Sequence, residues 1–110
     1  MGIDEVIDKL SKPYGTRYNE ARKYFKKLAS CLSECSPEGQ LEHLAFAQVF
    51  SEEYGPDKLY ALEQISKLYK KGHRSQDVIA FKVDLLVQKR RKAERIEESK
   101  EYLAEFLGEI

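Results

Sequence analysis

A chain of 110 residues fits one domain of common size and leaves little room for two, so residues 1–110 are expected to fold as a single unit. An apolar share of 42% supports a modest core, while a charged share of 35% exceeds the usual quarter and suits helices with long solvated faces. The 19 Lys and Arg cancel the 19 Asp and Glu, which excludes a whole-molecule electrostatic case for nucleic acid or an anionic membrane.

No stretch approaches the roughly 20 continuous apolar residues needed to cross a bilayer. The opening MGIDEVIDKL begins on acids rather than a basic n-region, and Val6 stands where a myristoylation signal has Ser or Thr. The expectation is a cytoplasmic protein with no membrane partner.

A first short helix is predicted from Asp4 to about Ser11, ended by Pro13, which disfavours helix in the residue before it. Thr16 is placed to cap a second helix. Along it Tyr18, Ala21, Phe25, Leu28, Leu32 and Cys35 recur at steps of three and four, one apolar stripe over five turns. Ser36-Pro37-Glu38 reads as a helix start, with a hydroxyl N-cap, Pro at the first helical position and an acid in the first turn. This third helix is expected to reach about Tyr54 and to stop at Gly55. A fourth begins at Pro56-Asp57, turns Leu59, Leu62, Ile65, Leu68 and Tyr69 inward, and ends at Gly72. Short turns make these helices antiparallel neighbours over about 1–74.

Ser75 to Leu107 contains neither Pro nor Gly, which predicts one helix of about 50 Å over about 75–107. Within it Ile79, Phe81, Val83, Leu85 and Val87 alternate as in a strand, but Val78, Ile79, Leu85 and Leu86 also make a broad helical face. Nothing else in the chain reads as a partner strand, so helix is preferred over a strand paired with a second copy. The predicted fold is all-α, a small bundle of four to five helices with a long C-terminal helix.

Cys31 and Cys35 fall four apart on the predicted second helix, and the turn at residues 36–40 would bring His43 alongside. These three, with His73 or a carboxylate, make a partial zinc set. Free thiols beside Leu28 and Leu32 behave equally as small hydrophobes, and packing is the preferred reading. His43 is also placed to face Phe46, Phe50 and Tyr54 on its own helix. No nucleophile motif, phosphate loop or dinucleotide fingerprint is present, and Glu52-Glu53 and Glu97-Glu98 read as solvated faces. The expectation is a non-enzyme without cofactor, metal or small-molecule substrate.

The neutral total hides charge blocks. Arg17, Arg22, Lys23, Lys26 and Lys27 stand against Glu20 alone. Residues 28–57 hold no Lys or Arg but six acids: Glu34, Glu38, Glu42, Glu52, Glu53 and Asp57. Lys58, Lys67, Lys70, Lys71 and Arg74 stand against Glu63, and Lys89, Arg90, Arg91, Lys92 and Arg95 against Glu94. The chain then turns acidic through Glu97, Glu98, Glu101, Glu105 and Glu109, opposed by Lys100.

Two functions fit such blocks. The first is a protein–protein assembly module, a small subunit or adaptor, self-associating through the C-terminal helix. The base-then-acid order over 89–105 opposes the helix dipole and would be met by an antiparallel copy crossing near Ile96. Arg91 then approaches Glu101 of the other copy, over a seam of Ala93, Ile96, Ser99, Leu103, Phe106 and Ile110. The second function is nucleic-acid binding by Arg22, Lys23, Lys26, Lys27, Lys70, Lys71, Arg74 and Lys89, Arg90, Arg91 and Lys92, with Tyr18, Tyr24 and Tyr69 as stacking platforms. Residues 59–86 resemble a helix-turn-helix in part, with Gly72 in the turn and Val78-Ile79-Ala80 where a second helix packs. They depart from it by an extra turn residue and by the absence of a break after the second helix. No family is assigned on that resemblance.

Overall fold

The computed structural model describes residues 2–108. Five α-helices follow one another: α1 (Ile3–Ser11), α2 (Tyr18–Ser30), α3 (Pro37–Glu52), α4 (Lys58–Lys70) and α5 (Gln76–Gly108). Short 3-10 segments at Lys12–Arg17 and Gly55–Asp57 lead into α2 and α4. No strand occurs among the described residues, so the all-α bundle with a long last helix is the fold.

Helix α4 is the central element, packed by α2, α3 and α5, while α1 closes the far side of α2. It buries Ala61, Leu62, Ile65, Ser66, Leu68 and Tyr69, and those adjacent pairs cover more than one face of a helix. Leu59, expected inside, is only half-buried. Around α4 stand Phe25, Leu28 and Leu32, then Leu44 and Ala47 of α3, then Ile79, Val83 and Val87 of α5.

The two best punctuation signals act as expected. Ser36 caps α3, its Oγ accepting from the Gly39 N–H at 3.1 Å, with Pro37 in the first turn. Gly72, at φ 101°, ends α4: its N–H donates to the Tyr69 carbonyl and the His73 N–H to the Leu68 carbonyl. Those are the two bonds of a Schellman stop, which needs a left-handed residue at this place.

Two boundaries differ from the sequence expectation. Thr16 does not cap α2. The chain kinks at Gly15, at φ 59°, and α2 starts at Tyr18 after an uncapped Arg17. The kink drives Tyr14 into the core, where its hydroxyl meets Ser51 Oγ and its ring stands edge-on to Phe25. Ser51 already donates to the Gln48 carbonyl, so Tyr14 is the donor to Ser51. At the other end α2 stops at Ser30, and residues 31–35 form turns in which the N–H groups of Cys31, Leu32 and Cys35 donate to the carbonyls of Leu28, Ala29 and Leu32. Leu32 stays fully buried, but Cys35 is no longer on the α2 stripe.

The alternating stretch resolves in favour of helix. Ile79, Val83 and Val87, four apart, face inward, while Phe81 and Leu85 are 65% and 55% exposed on the opposite side. Alternation in sequence here marks two opposite helix faces.

Candidate functional site

Several bases that looked like surface charge are internal ties. Arg74 donates to the carbonyls of Tyr69 at 2.9 Å, His73 at 2.8 Å and Cys31 at 2.7 Å, and to Glu34 Oε1 at 3.0 Å. It thereby satisfies carbonyls at the C-terminal ends of both α2 and α4, where a cation is favoured. Glu34 is held below the usual carboxylate range by its own backbone N–H and then by Arg74. Tyr69 is fully buried, so it cannot stack on a base: its hydroxyl lies 2.7 Å from His43 Nδ1 and the rings meet edge to face. Burial raises its pKa to about 12. His43 therefore faces α4 rather than the aromatics of its own helix. Those stack among themselves, Phe46 on Phe50 and Phe50 edge-on to Tyr54.

Arg22 is likewise occupied. Its Nε donates to Asp8 Oδ1 at 2.6 Å, and the Tyr18 hydroxyl donates to the same oxygen at 3.0 Å. The Arg22 bond, with that from Tyr18, holds Asp8 below its ordinary value. Arg91 donates to Asp57 Oδ2 at 2.8 Å and to the Tyr54 carbonyl at 3.0 Å, pinning α5 to the turn before α4. Arg90 lies 4.2 Å over the Tyr60 ring and pairs with Glu94 along its own helix.

Other bases do converge. Lys23 and Lys27 of α2 and Lys67 and Lys70 of α4 surround a hollow of about 210 Å³ that Tyr24 and Glu63 also line. The Tyr24 hydroxyl donates to Glu63 at 2.8 Å, and burial, then that bond, raises the Tyr24 pKa to about 12. Lys26 lies on the other flank of α2, beside Ile3 and Ile7 of α1, while Lys71, Lys89 and Lys92 are exposed outside this hollow. The first two basic blocks thus share a face in part. The second helix of the helix-turn-helix-like stretch does not end near residue 86 but continues unbroken as α5.

The two cysteines are free and half-buried, in the turns after α2 rather than on one helix face. Among the described residues no three His, Cys, Asp or Glu side chains are arranged to hold a metal ion, so Cys31, Cys35 and His43 do not form such a group.

Beyond Arg91, every described residue of α5 is exposed. The self-association candidates Ala93, Ile96, Ser99, Glu101, Leu103 and Phe106 all lie in this projecting part, whereas Arg91 is committed to Asp57 and Tyr54 within the chain. Tyr102, Leu103, Phe106 and Leu107 are between 53% and 73% exposed, and Tyr102 and Phe106 meet edge to face. Glu109 and Ile110 lie outside the described residues. The projection stretches the molecule to 65 Å along its longest axis, against 29 and 18 Å across. No helix of the described residues is long and apolar enough to cross a membrane.

Comparison with protein-family models, with curated proteins and with solved structures found no match to this chain.

Proposed function

We propose that this protein is a non-catalytic helical assembly module that self-associates through the part of α5 beyond Arg91. The observation that carries the reading is the exposure of that segment together with its content: Ile96, Leu103, Phe106 and Leu107, all at least half exposed, on a stretch of helix whose described residues are exposed throughout. An exposed apolar row of this kind is a contact surface on a protein otherwise rich in charge. The bundle supplies a rigid base, since Ile79, Val83, Val87 and Arg91 fasten the first half of the helix.

Sedimentation of the intact chain against a chain ending at Ala93 tests this. A cut at Leu86 would remove the buried Val87 and the Arg91 tie, whereas the cut at Ala93 keeps both. The intact chain is expected to sediment as a dimer and the shortened one as a folded monomer. Two monomers at high concentration would overturn the reading.

One observation favours a second reading, nucleic-acid binding: the four lysines Lys23, Lys27, Lys67 and Lys70 around one hollow beside Tyr24. Four phosphate contacts would give binding of a single-stranded oligonucleotide a log–log salt slope of roughly −3. Lys23→Glu with Lys67→Glu would abolish that binding. No salt-sensitive affinity for single-stranded or duplex oligonucleotides would remove this second function.

A further inference from the structure

The exposed row on α5 is longer than its projecting part. At about 100° per residue, Ile96, Leu103 and Leu107 continue the side that carries Phe81 and Leu85, the side turned away from the bundle. All five are exposed. From Leu85 to Leu107 the charges beside this row are of one sign. Lys89, Lys92 and Arg95 lie within or at the edge of it, whereas Glu97, Glu98, Glu101 and Glu105 fall on the side that continues Ile79, Val83 and Val87. Two α5 rows pressed together in parallel would set lysine against lysine, and an antiparallel pair crossing near Ile96 would set Lys92 against Lys100. The pairing of Arg91 with Glu101 also fails, since both point to the bundle side and Arg91 is already on Asp57. The row needs an apolar partner edged by acids.

The molecule carries one. Helix α3 is apolar on two sides. Leu44 and Ala47 face the core, while Leu41 and Val49 are 47% and 58% exposed outside. The outer side has a hollow of about 370 Å³ lined by Ala45, Phe46, Val49 and Phe50, with Glu42, Glu53 and Gln76 at the start of α5 also bordering it. Glu38 and Glu52 stand exposed on the same helix end regions. Among the described residues none of these four glutamates forms a salt bridge, and neither do Lys89, Lys92 and Arg95.

We infer that the outer face of α3 is the seat for α5 of a second copy of this chain, each copy giving its helix and receiving the other's in a two-fold dimer. This rests on the self-association proposed above and specifies its surface. Apolar side chains of the α5 row fill the hollow between Phe46 and Val49. Lys89, Lys92 and Arg95 reach the glutamates at its rim. A reciprocal exchange closes at two subunits and covers both exposed faces, which a one-way contact would leave open at each end. Complementary charge fixes which surfaces meet and in which orientation, and it makes the association weaken with salt.

Charge exchange provides the test. The variants E42K/E53K and K89E/K92E/R95E change exposed positions only. Each alone is expected to self-associate at least tenfold more weakly than the unaltered chain in sedimentation velocity. An equimolar mixture of the two is expected to form dimers again, because both contacts then join opposite charges. A single chain carrying all five changes should recover dimers on its own. If E42K/E53K dimerises like the unaltered chain while the Ala93-terminated chain stays monomeric, α3 is not the seat and the α5 reading stands. Failure of the mixture to recover, or growth beyond dimers, also overturns the inference. A monomeric unaltered chain overturns both.

Discussion

Arg74→Ala lowers the melting temperature by roughly 10 °C, the equivalent of about 2 kcal/mol for a small domain. The side chain is about one-third exposed, yet it donates to three backbone carbonyls and a carboxylate at the C-terminal ends of two different helices. Removing it leaves carbonyls at the ends of α2 and α4 without their cation and frees the turn of residues 31–35. Arg74→Lys recovers only part of the loss, because an ammonium lacks the planar fork that spans Cys31, Tyr69 and Glu34 at once. Thermal unfolding followed by circular dichroism measures both. A loss below about 0.5 kcal/mol in Arg74→Ala would mean that the residue is the surface charge it resembles in sequence.

A second large effect is expected in alkali. Burial raises the Tyr14 and Tyr69 hydroxyls to about 12 from the ordinary 10, and Tyr54 moves upward for the same reason and because it donates to Asp84. In the unfolded chain these hydroxyls lose their protons near pH 10, while the folded chain keeps them. The stability from the protonated buried form is therefore fully present below pH 10 and is lost as pH rises from 10 towards 12. The slope is on the order of 1.4 kcal/mol per pH unit for each buried tyrosine. The ring resonances of Tyr14 and Tyr69, resolved by NMR from that of the exposed Tyr102, and helical circular dichroism should consequently change together over that interval. Phenolate at Tyr14 or Tyr69 below pH 10.5 (about half a unit above the free value) with the helices intact would contradict the burial of these rings.

Much of this fold was legible in the sequence, because helix boundaries carried by one or two residues are local chemistry. Ser36-Pro37 and Gly72 act through bonds to neighbours three to five residues away, and both ended or began a helix as expected. The Ile79–Val87 stretch was readable as helix from the absence of any partner strand, but not which face would be buried. Where the sequence misled, the cause was a distant partner. Thr16 has the chemistry of a cap, but docking Tyr14 against Ser51, 37 positions away, put the kink at Gly15 instead. His43 was set beside its own aromatics and found Tyr69 from another helix. Arg22, Arg74 and Arg91 belong to basic blocks by position, and each is held by an acid far along the chain, which composition cannot reveal. The exposed end of α5 was visible as a base-then-acid run. Placing Lys89, Lys92 and Arg95 outward and the later acids on the other side required knowing which side the bundle takes.

The fastening of α5 ends at Arg91, and this separates the helix into two thermodynamic regimes. Its first half shares the cooperative stability of the bundle through Ile79, Val83 and Val87. Its last turns are held only by their continuity with that half, by propensity, and by short-range pairs such as Lys100 with Glu97. A helical end of that kind has little ordering free energy of its own, so whatever covers it also completes its folding. Contact and order become one linked equilibrium. The dimer proposed above is accordingly expected to be reversible and tuned by concentration and salt rather than permanent.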